Sequence, residues 1–89
     1  MDRWAAAQHD TRPIEGVCAS ACTVRLSRAR CIAPDAVLGF HRATDALATR
    51  QLLWSYKTRL RAYVIAHCLD GSVCWVSGAR MAQFGYRLC

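Results

Sequence analysis

Short apolar runs alternate with longer amphipathic stretches along this chain. The runs are bounded by turn residues and rich in β-branched or apolar side chains, which predicts short strands over 14–18, 36–40 and 73–76. A fourth could begin at 31–32. Helical patterns fill the intervals, over 20–29, 43–69 and 78–84. This alternation of strand and helix predicts an α/β fold with some parallel strand pairing.

Capping residues mark the ends of the predicted helices. Thr44 or Asp45 can cap the helical stretch over 43–69, in which apolar residues recur at i, i+3, i+4 and i+8 from Leu60. A bend over 56–58 would divide this stretch into a hairpin, but one continuous helix fits the pattern equally well. Ser77 is expected to cap the last helix, and Gly85 to end it.

The size of the chain limits it to one small domain. It has 89 residues, of which 54% are hydrophobic, too many for a disordered chain. A core this small needs help from disulfides, a partner chain or a further segment. Residues 1–13 are predicted to be a poorly ordered N-terminal segment, because a helical turn near Trp4 would end before Pro13. The domain itself is predicted over 14–89.

The chain is basic, with a formal net charge of +6. Its basic residues are scattered, with local concentrations over 25–30 and 57–61. A basic surface of this kind is compatible with nucleic-acid binding. No zinc-finger, helix-turn-helix or RNP motif accompanies it, so solvated helix faces are the favoured interpretation and a nucleic-acid partner is not expected.

Cysteine is the most informative residue type in the composition. The six cysteines are Cys18, Cys22, Cys31, Cys68, Cys74 and Cys89. An even number at this density favours disulfides and an oxidising compartment, although six cysteines allow 15 pairings. Zinc is disfavoured, because the close pair Cys18 and Cys22 has no second close pair of cysteine or histidine to complete a site. Buried free thiols remain an alternative.

The N-terminal residues conflict with that compartment. They contain no apolar run of the kind that a signal peptide has. We therefore expect the protein to be periplasmic or secreted if an upstream signal sequence is missing, and cytoplasmic otherwise. No apolar run approaches 18 residues, so no membrane span is predicted.

The candidate chemistry is concentrated in residues 16–41. Ser20 lies in a run of small residues before a predicted helix, and His41 follows a predicted strand. Serine hydrolysis needs a hydroxyl on a tight turn, a backbone N–H beside it and an imidazole nearby. Taken singly, Ser20 is better explained as a helix cap, and His41 as a hydrogen-bonded structural residue.

Two segments of the chain resemble a known superfamily. The stretch VCASACTVRLSRARCIAPDAVLGFH, and more weakly VSGARMAQFGYRLC, resemble the Clp protease and crotonase-like superfamily. The resemblance is nearest to bacterial, often periplasmic proteins related to the Clp proteolytic subunit and to signal peptide peptidase A. It implies a partial sheet of that fold, corresponding to its C-terminal half, with helices packed on it. It also implies a homo-oligomer, since members form rings and trimers. No cofactor is expected.

The resemblance also implies roles for particular residues. Ser20 would be the nucleophile, His41 the general base and the Ala21 N–H an oxyanion donor, acting on a peptide or protein substrate. Cysteines recur in the periplasmic relatives, which implies disulfide partners among Cys18, Cys22, Cys31 and Cys89. The strand and Gly-Gly loop that supply a second oxyanion donor in the superfamily have no counterpart here.

The sequence does not decide which residue would orient the base. Asp45, four residues after His41, is the expected acid, and Asp70 is the other downstream candidate. Lys57 would be the base if the site followed the signal-peptide-peptidase branch. A non-catalytic module of the same fold, assembling through its sheet edge and helices, is the main alternative to an enzyme.

Overall fold

Three short strands form one sheet, and residues 16–41 contribute two of them. The computed structural model describes residues 11–89. The strands are β1 (Val17–Ala19), β2 (Val37–Phe40) and β3 (Cys74–Ser77). Strand β2 is central and pairs in parallel with β1 and antiparallel with β3. The predicted α/β class and the parallel pairing are therefore confirmed, in the form of a small mixed sheet.

Two 3-10 helices and two α-helices connect and follow the strands. The 3-10 helices are η1 (Ser20–Ser27) and η2 (Ala79–Phe84), and the α-helices are α1 (Ala46–Trp54) and α2 (Thr58–His67). The stretch over 43–69 thus forms two helices rather than one. The Arg61 guanidinium donates to the carbonyls of Leu53 (3.0 Å) and Tyr56 (2.9 Å), which satisfies backbone groups at the end of α1.

The core lies on one face of the sheet. Cys18, Leu38 and Val76 are neighbours across the three strands and are 0%, 0% and 1% exposed. Side chains from both α-helices and both 3-10 helices join them in a single buried cluster. Because the side chains of a strand alternate between faces, the residues that flank these three point the other way.

The opposite face of the sheet is apolar and open to solvent within residues 11–89. We call it the outer sheet face and define it by Val17, Val37 and Trp75, which are 71%, 39% and 56% exposed. Trp75 lies across Gly39, where an added Cβ would be 2.7 Å from the indole Cζ3. A larger residue at this position of the central strand would therefore displace the Trp75 ring.

Three disulfides join the elements. They are Cys18–Cys22, Cys31–Cys89 and Cys68–Cys74. The prediction of disulfides is confirmed, and they fit an oxidising, extracytoplasmic environment. Beside Cys31, Ile32 bridges to both Ile14 and Leu88, so this disulfide fastens the C-terminal end to the start of the domain. Of the helices that the structure describes, none is long and apolar enough to cross a membrane.

The end of the predicted N-terminal segment contacts the domain. The Thr11 carbonyl accepts a 3.1 Å hydrogen bond from the Arg30 N–H, and the Arg12 carbonyl accepts one of 2.8 Å from the Arg25 guanidinium. The rest of the predicted segment, with the turn near Trp4, lies outside the described residues.

Candidate active site

Ser20 lies at a sharp turn between a strand and a helix. It follows the last residue of β1 and begins η1 with φ +56°, and it is the single non-glycine residue with positive φ in residues 11–89. The left-handed conformation costs an L-residue about 1–2 kcal/mol. Strain of this kind persists only where the surroundings impose it, and it is concentrated at functional sites.

His41 meets Ser20 at the edge of the sheet. Their strands are parallel, with Ala19 opposite Gly39, so the residues after β1 and β2 emerge at the same edge. Ser20 Oγ lies 2.5 Å from His41 Nε2. The structure therefore brings together the two side chains that the sequence put forward as nucleophile and base.

The other ring nitrogen of His41 determines the direction of that hydrogen bond. His41 Nδ1 lies 2.5 Å from the backbone carbonyl oxygen of Arg42. A carbonyl can only accept, so Nδ1 carries the proton and Nε2 of the neutral ring presents a lone pair. The Ser20 hydroxyl is then the donor to Nε2, which is the arrangement that a general base requires.

The three side chains considered as further partners bond elsewhere. Asp45 Oδ1 accepts a backbone N–H from the first turn of α1 at 2.8 Å, so this carboxylate caps the helix instead of orienting the imidazole. Asp70 Oδ1 accepts the backbone N–H two residues later, at 2.9 Å. Lys57 Nζ donates to the Gly85 carbonyl at 2.8 Å. The carbonyl of Arg42 occupies the place that the sequence assigned to an acid.

A buried hydrogen-bond chain holds the backbone of Ser20 from beneath. Thr23 Oγ1 donates to the Ser20 carbonyl at 2.7 Å and lies 2.6 Å from the Tyr56 hydroxyl. Because the Thr23 proton points to the carbonyl, Tyr56 must donate to Thr23. Burial raises the pKa of the Tyr56 phenol far above its ordinary value, so the phenol keeps its proton.

The same chain sets the direction of the Ala21 N–H. The peptide unit between Ser20 and Ala21 is planar, and its C=O and N–H point in opposite directions. With the carbonyl held towards Thr23, the N–H of Ala21 is turned away from the buried hydroxyls. Ala21 is the second residue of η1, and the N–H groups of a helix's first turn have no partner within the helix. This N–H therefore has the setting expected of an oxyanion donor.

A disulfide encloses the Ser20 turn. Cys18, fully buried in β1, is bonded to Cys22 of η1, so the two sulfurs bridge the residues on either side of Ser20. The bridge ties the end of the strand to the start of the helix and prevents the turn from opening. All four predicted disulfide residues are bonded, as Cys18–Cys22 and Cys31–Cys89. The third disulfide joins Cys68 and Cys74, which were not among the cysteines that the resemblance implied as disulfide partners.

Sequence reasoning missed the groups that support the pair. Thr23 lies three residues after Ser20, a spacing at which threonine commonly bonds to a preceding carbonyl, and that signal was available. Tyr56 is 33 positions beyond Thr23 and no local pattern connects them. The Arg42 carbonyl is a backbone group, which every residue has, so its role depends on the conformation after β2.

No model of a known protein family, no curated protein and no solved structure matches this chain. Within residues 11–89, no cluster of three or more histidine, cysteine or acidic side chains is arranged to hold a metal ion. The function is therefore argued from the geometry of this site.

Proposed function

We propose that this chain is a serine peptidase-like enzyme in which Ser20 is the nucleophile and His41 the general base. The observation that carries the proposal is the 2.5 Å contact between Ser20 Oγ and His41 Nε2, with Nδ1 held by the Arg42 carbonyl. Nucleophile, base and orienting group correspond to the three parts of a serine-hydrolase triad, with a neutral carbonyl in place of the carboxylate. The positive φ of Ser20 adds to the argument, because a strained turn between strand and helix exposes a nucleophilic hydroxyl.

The reaction follows from these positions. His41 Nε2 accepts the hydroxyl proton as Ser20 Oγ forms a bond to the substrate carbonyl carbon. The negative charge that develops on the carbonyl oxygen is stabilised by the Ala21 N–H. The imidazolium then gives its proton to the leaving amine as the peptide bond breaks, which leaves an ester on Ser20. A water molecule, activated by the same nitrogen, hydrolyses that ester to a carboxylate and restores the hydroxyl.

The site has fewer supporting groups than a full triad with two oxyanion donors. Loss of one such donor lowers the turnover of a serine protease by about 10²–10³. The Arg42 carbonyl is neutral, so it stabilises the imidazolium less than a carboxylate does. We therefore expect acylation of Ser20 by reactive acyl compounds to be readily measurable and peptide turnover to be slow.

We also propose that the fold is a partial form of the Clp and crotonase-like fold. Placement of Ser20 and His41 directly after two parallel strands is compatible with a partial sheet of that fold. A periplasmic or secreted location agrees with the three disulfides.

A fluorophosphonate probe tests the nucleophile. We expect intact-mass analysis to show one adduct on the wild-type chain and none on Ser20→Ala. Ser27→Ala is the matched control, since Ser27 lies at the other end of η1 and its hydroxyl donates to the Val24 carbonyl. Absence of labelling in the wild type, or equal labelling of Ser20→Ala, would contradict the proposal.

The outer sheet face favours a second candidate function, a non-catalytic module that pairs with another copy of itself. Sheets pack face to face through apolar side chains, and a two-fold axis lets the same patch serve both copies. Val17, Val37 and Trp75 form such a patch across all three strands. Sedimentation velocity at micromolar concentration should then show a dimer that Val17→Lys dissociates and that Leu47→Lys, at an exposed position of α1, does not. A wild-type monomer would contradict this candidate.

A further inference from the structure

Within residues 11–89, a smaller and a larger cavity adjoin His41, and they differ in what else lines them. The smaller, of about 270 Å³, also contacts Ser20 and Ala21. The larger, of about 910 Å³, contacts neither of these two residues and extends over α1 and towards α2. We call them the acyl pocket and the basic groove.

The chemistry proposed for Ser20 assigns a part of the substrate to each cavity. The acyl carbon becomes bonded to Ser20 Oγ while its oxygen faces the Ala21 N–H, so the acyl side of the scissile bond lies at the cavity that both residues line. The leaving amine takes its proton from His41. It therefore departs through the larger cavity, which is lined by His41 but not by Ser20.

The acyl pocket suits one uncharged side chain. Its walls include Ala43, Ala48 and Leu52, and His41 is the single ionisable side chain that lines it. Its volume is nearly twice that of a cavity of about 150 Å³ that holds benzene. A charged side chain there would lose hydration without gaining a partner of opposite charge.

The basic groove carries the opposite chemistry. Three arginines line it, Arg42, Arg50 and Arg61, against one carboxylate, Asp45, which is already engaged as a helix cap. Arg61 is stacked 4.3 Å over the Trp54 ring and bonded to backbone carbonyls, but Arg42 and Arg50 are exposed. The groove is more than three times the volume of the acyl pocket, so it has room for several residues of an extended chain.

We propose that the substrate is a peptide with an uncharged residue on the acyl side of the scissile bond and acidic residues on the amine side. This inference rests on the proposed function of Ser20 and His41. It adds Ala48 as a residue that limits the size of the acyl-side group, and Arg50 as one that selects the charge of the amine side.

Internally quenched peptides of equal length test the preference. Each of the four peptides is named by the residue on the acyl side of the scissile bond followed by the residue on the amine side. They are valine–glutamate, valine–glutamine, valine–lysine and lysine–glutamate. We expect the valine–glutamate peptide to have a kcat/KM about tenfold above that of the valine–lysine peptide. This difference should lie in KM and shrink with added salt, because the arginines are exposed. The lysine–glutamate peptide should be the poorest substrate.

Two pairs of variants assign the preference to the cavities. Arg50→Gln should lower the ratio of kcat/KM for the valine–glutamate peptide to kcat/KM for the valine–glutamine peptide. Arg59→Gln, on the exposed part of α2, should leave this ratio unchanged. Ala48→Leu should lower cleavage of the valine–glutamate peptide relative to that of a fifth peptide with glycine in place of the valine. Ala62→Leu, which lines neither cavity, is its control.

The outcomes separate this inference from the proposed function. Fluorophosphonate labelling of Ser20 is measured on the same preparation. Labelling together with equal cleavage of all four peptides, or with an unchanged ratio in Arg50→Gln, would overturn the substrate assignment alone. No labelling and no cleavage would overturn both.

Discussion

The hydroxyl of Thr23 donates a 2.7 Å hydrogen bond to the carbonyl of Ser20. Thr23 is fully buried, whereas the Ser20 side chain is exposed at the site. The bond therefore connects the interior to the nucleophile turn. Since the opposite end of that peptide unit is the Ala21 N–H, the orientation of the proposed oxyanion donor depends on a residue that never touches substrate.

Replacement of Thr23 by valine removes this bond and keeps the shape of the side chain. We expect kcat for the valine–glutamate peptide to fall by about 10-fold to 10²-fold with little change in KM, because a misdirected N–H weakens binding of the oxyanion alone. The free energy of unfolding should fall by about 1–3 kcal/mol, since the Tyr56 hydroxyl loses its buried acceptor.

Thr23→Ser is the matched control, because it restores the hydroxyl and leaves a small cavity. It should recover most of kcat at a stability similar to that of Thr23→Val. If kcat followed stability instead, so that the serine and valine variants were equally impaired, Thr23 would be a structural residue only.

The positive φ of Ser20 predicts a conflict between stability and function. Ser20→Ala and Ser20→Gly both remove the hydrogen bond to His41, but only glycine adopts φ +56° without strain. We expect Ser20→Gly to be more stable than Ser20→Ala by about 1 kcal/mol in urea unfolding. Neither variant should react with the fluorophosphonate. Equal stability of the two would show that the turn is not strained.

The disulfides should separate stabilisation of the fold from support of the site. Cys31–Cys89 closes a loop of 58 positions, so its removal by paired alanine substitution should cost about 4 kcal/mol of unfolding free energy. The folded fraction of that variant should still label at Ser20 at the wild-type rate. Removal of Cys18–Cys22, which encloses Ser20, should slow labelling of the folded protein.

The two variants are compared at a temperature at which both are folded by circular dichroism. An unchanged labelling rate without Cys18–Cys22 would mean that the turn holds its shape without the bridge. A slower rate without Cys31–Cys89 would mean that the site senses the distant disulfide.

Two buried phenols predict how stability depends on pH. Burial raises the pKa values of Tyr56 and Tyr86 above their ordinary value of about 10. Above that pH the unfolded chain releases these protons before the folded one does, so it binds fewer protons and stability falls as pH rises. Tyr56, whose pKa is raised far, contributes a loss that approaches about 1.4 kcal/mol per pH unit above about pH 10, and Tyr86 adds a loss of the same sign. Neither phenol contributes well below that pH.

Urea unfolding between about pH 8 and about pH 11 measures this slope. Tyr56→Phe removes one of the two phenols and should make the slope shallower. A slope that is unchanged in Tyr56→Phe would contradict the assignment of a raised pKa to this residue.

The local features of the fold were predictable from the sequence. Asp45 caps α1, the Ser77 hydroxyl accepts the Arg80 N–H at 3.2 Å at the start of the last helix, and Gly85 ends it with φ 90°. These features depend on residues close in sequence. The disulfide pairing was not predictable, because it depends on which elements pack together, and 15 pairings satisfy the same sequence.

In the candidate site, too, some features were predictable from the sequence and others depend on the folded backbone. The resemblance pairs Ser20 with His41, and the structure shows why they meet, since the parallel strands before them end at a common edge. Asp45 was the natural choice for the third group, since a carboxylate usually orients such a histidine. Its position four residues on places it at the start of α1, where the N–H groups of the first turn compete for the carboxylate and bind it. The backbone turn after β2 then supplies the Arg42 carbonyl, which no side-chain pattern reveals.

Labelling of Ser20 should depend on the imidazole of His41. The rate of fluorophosphonate modification is measured by intact mass for the wild type, His41→Gln and His67→Gln, the last being an exposed histidine of α2. We expect modification at Ser20, slowed by at least about 10² in His41→Gln and unchanged in His67→Gln. Modification of Ser20 at the same rate in His41→Gln as in the wild type would contradict the assignment of these two residues as nucleophile and base.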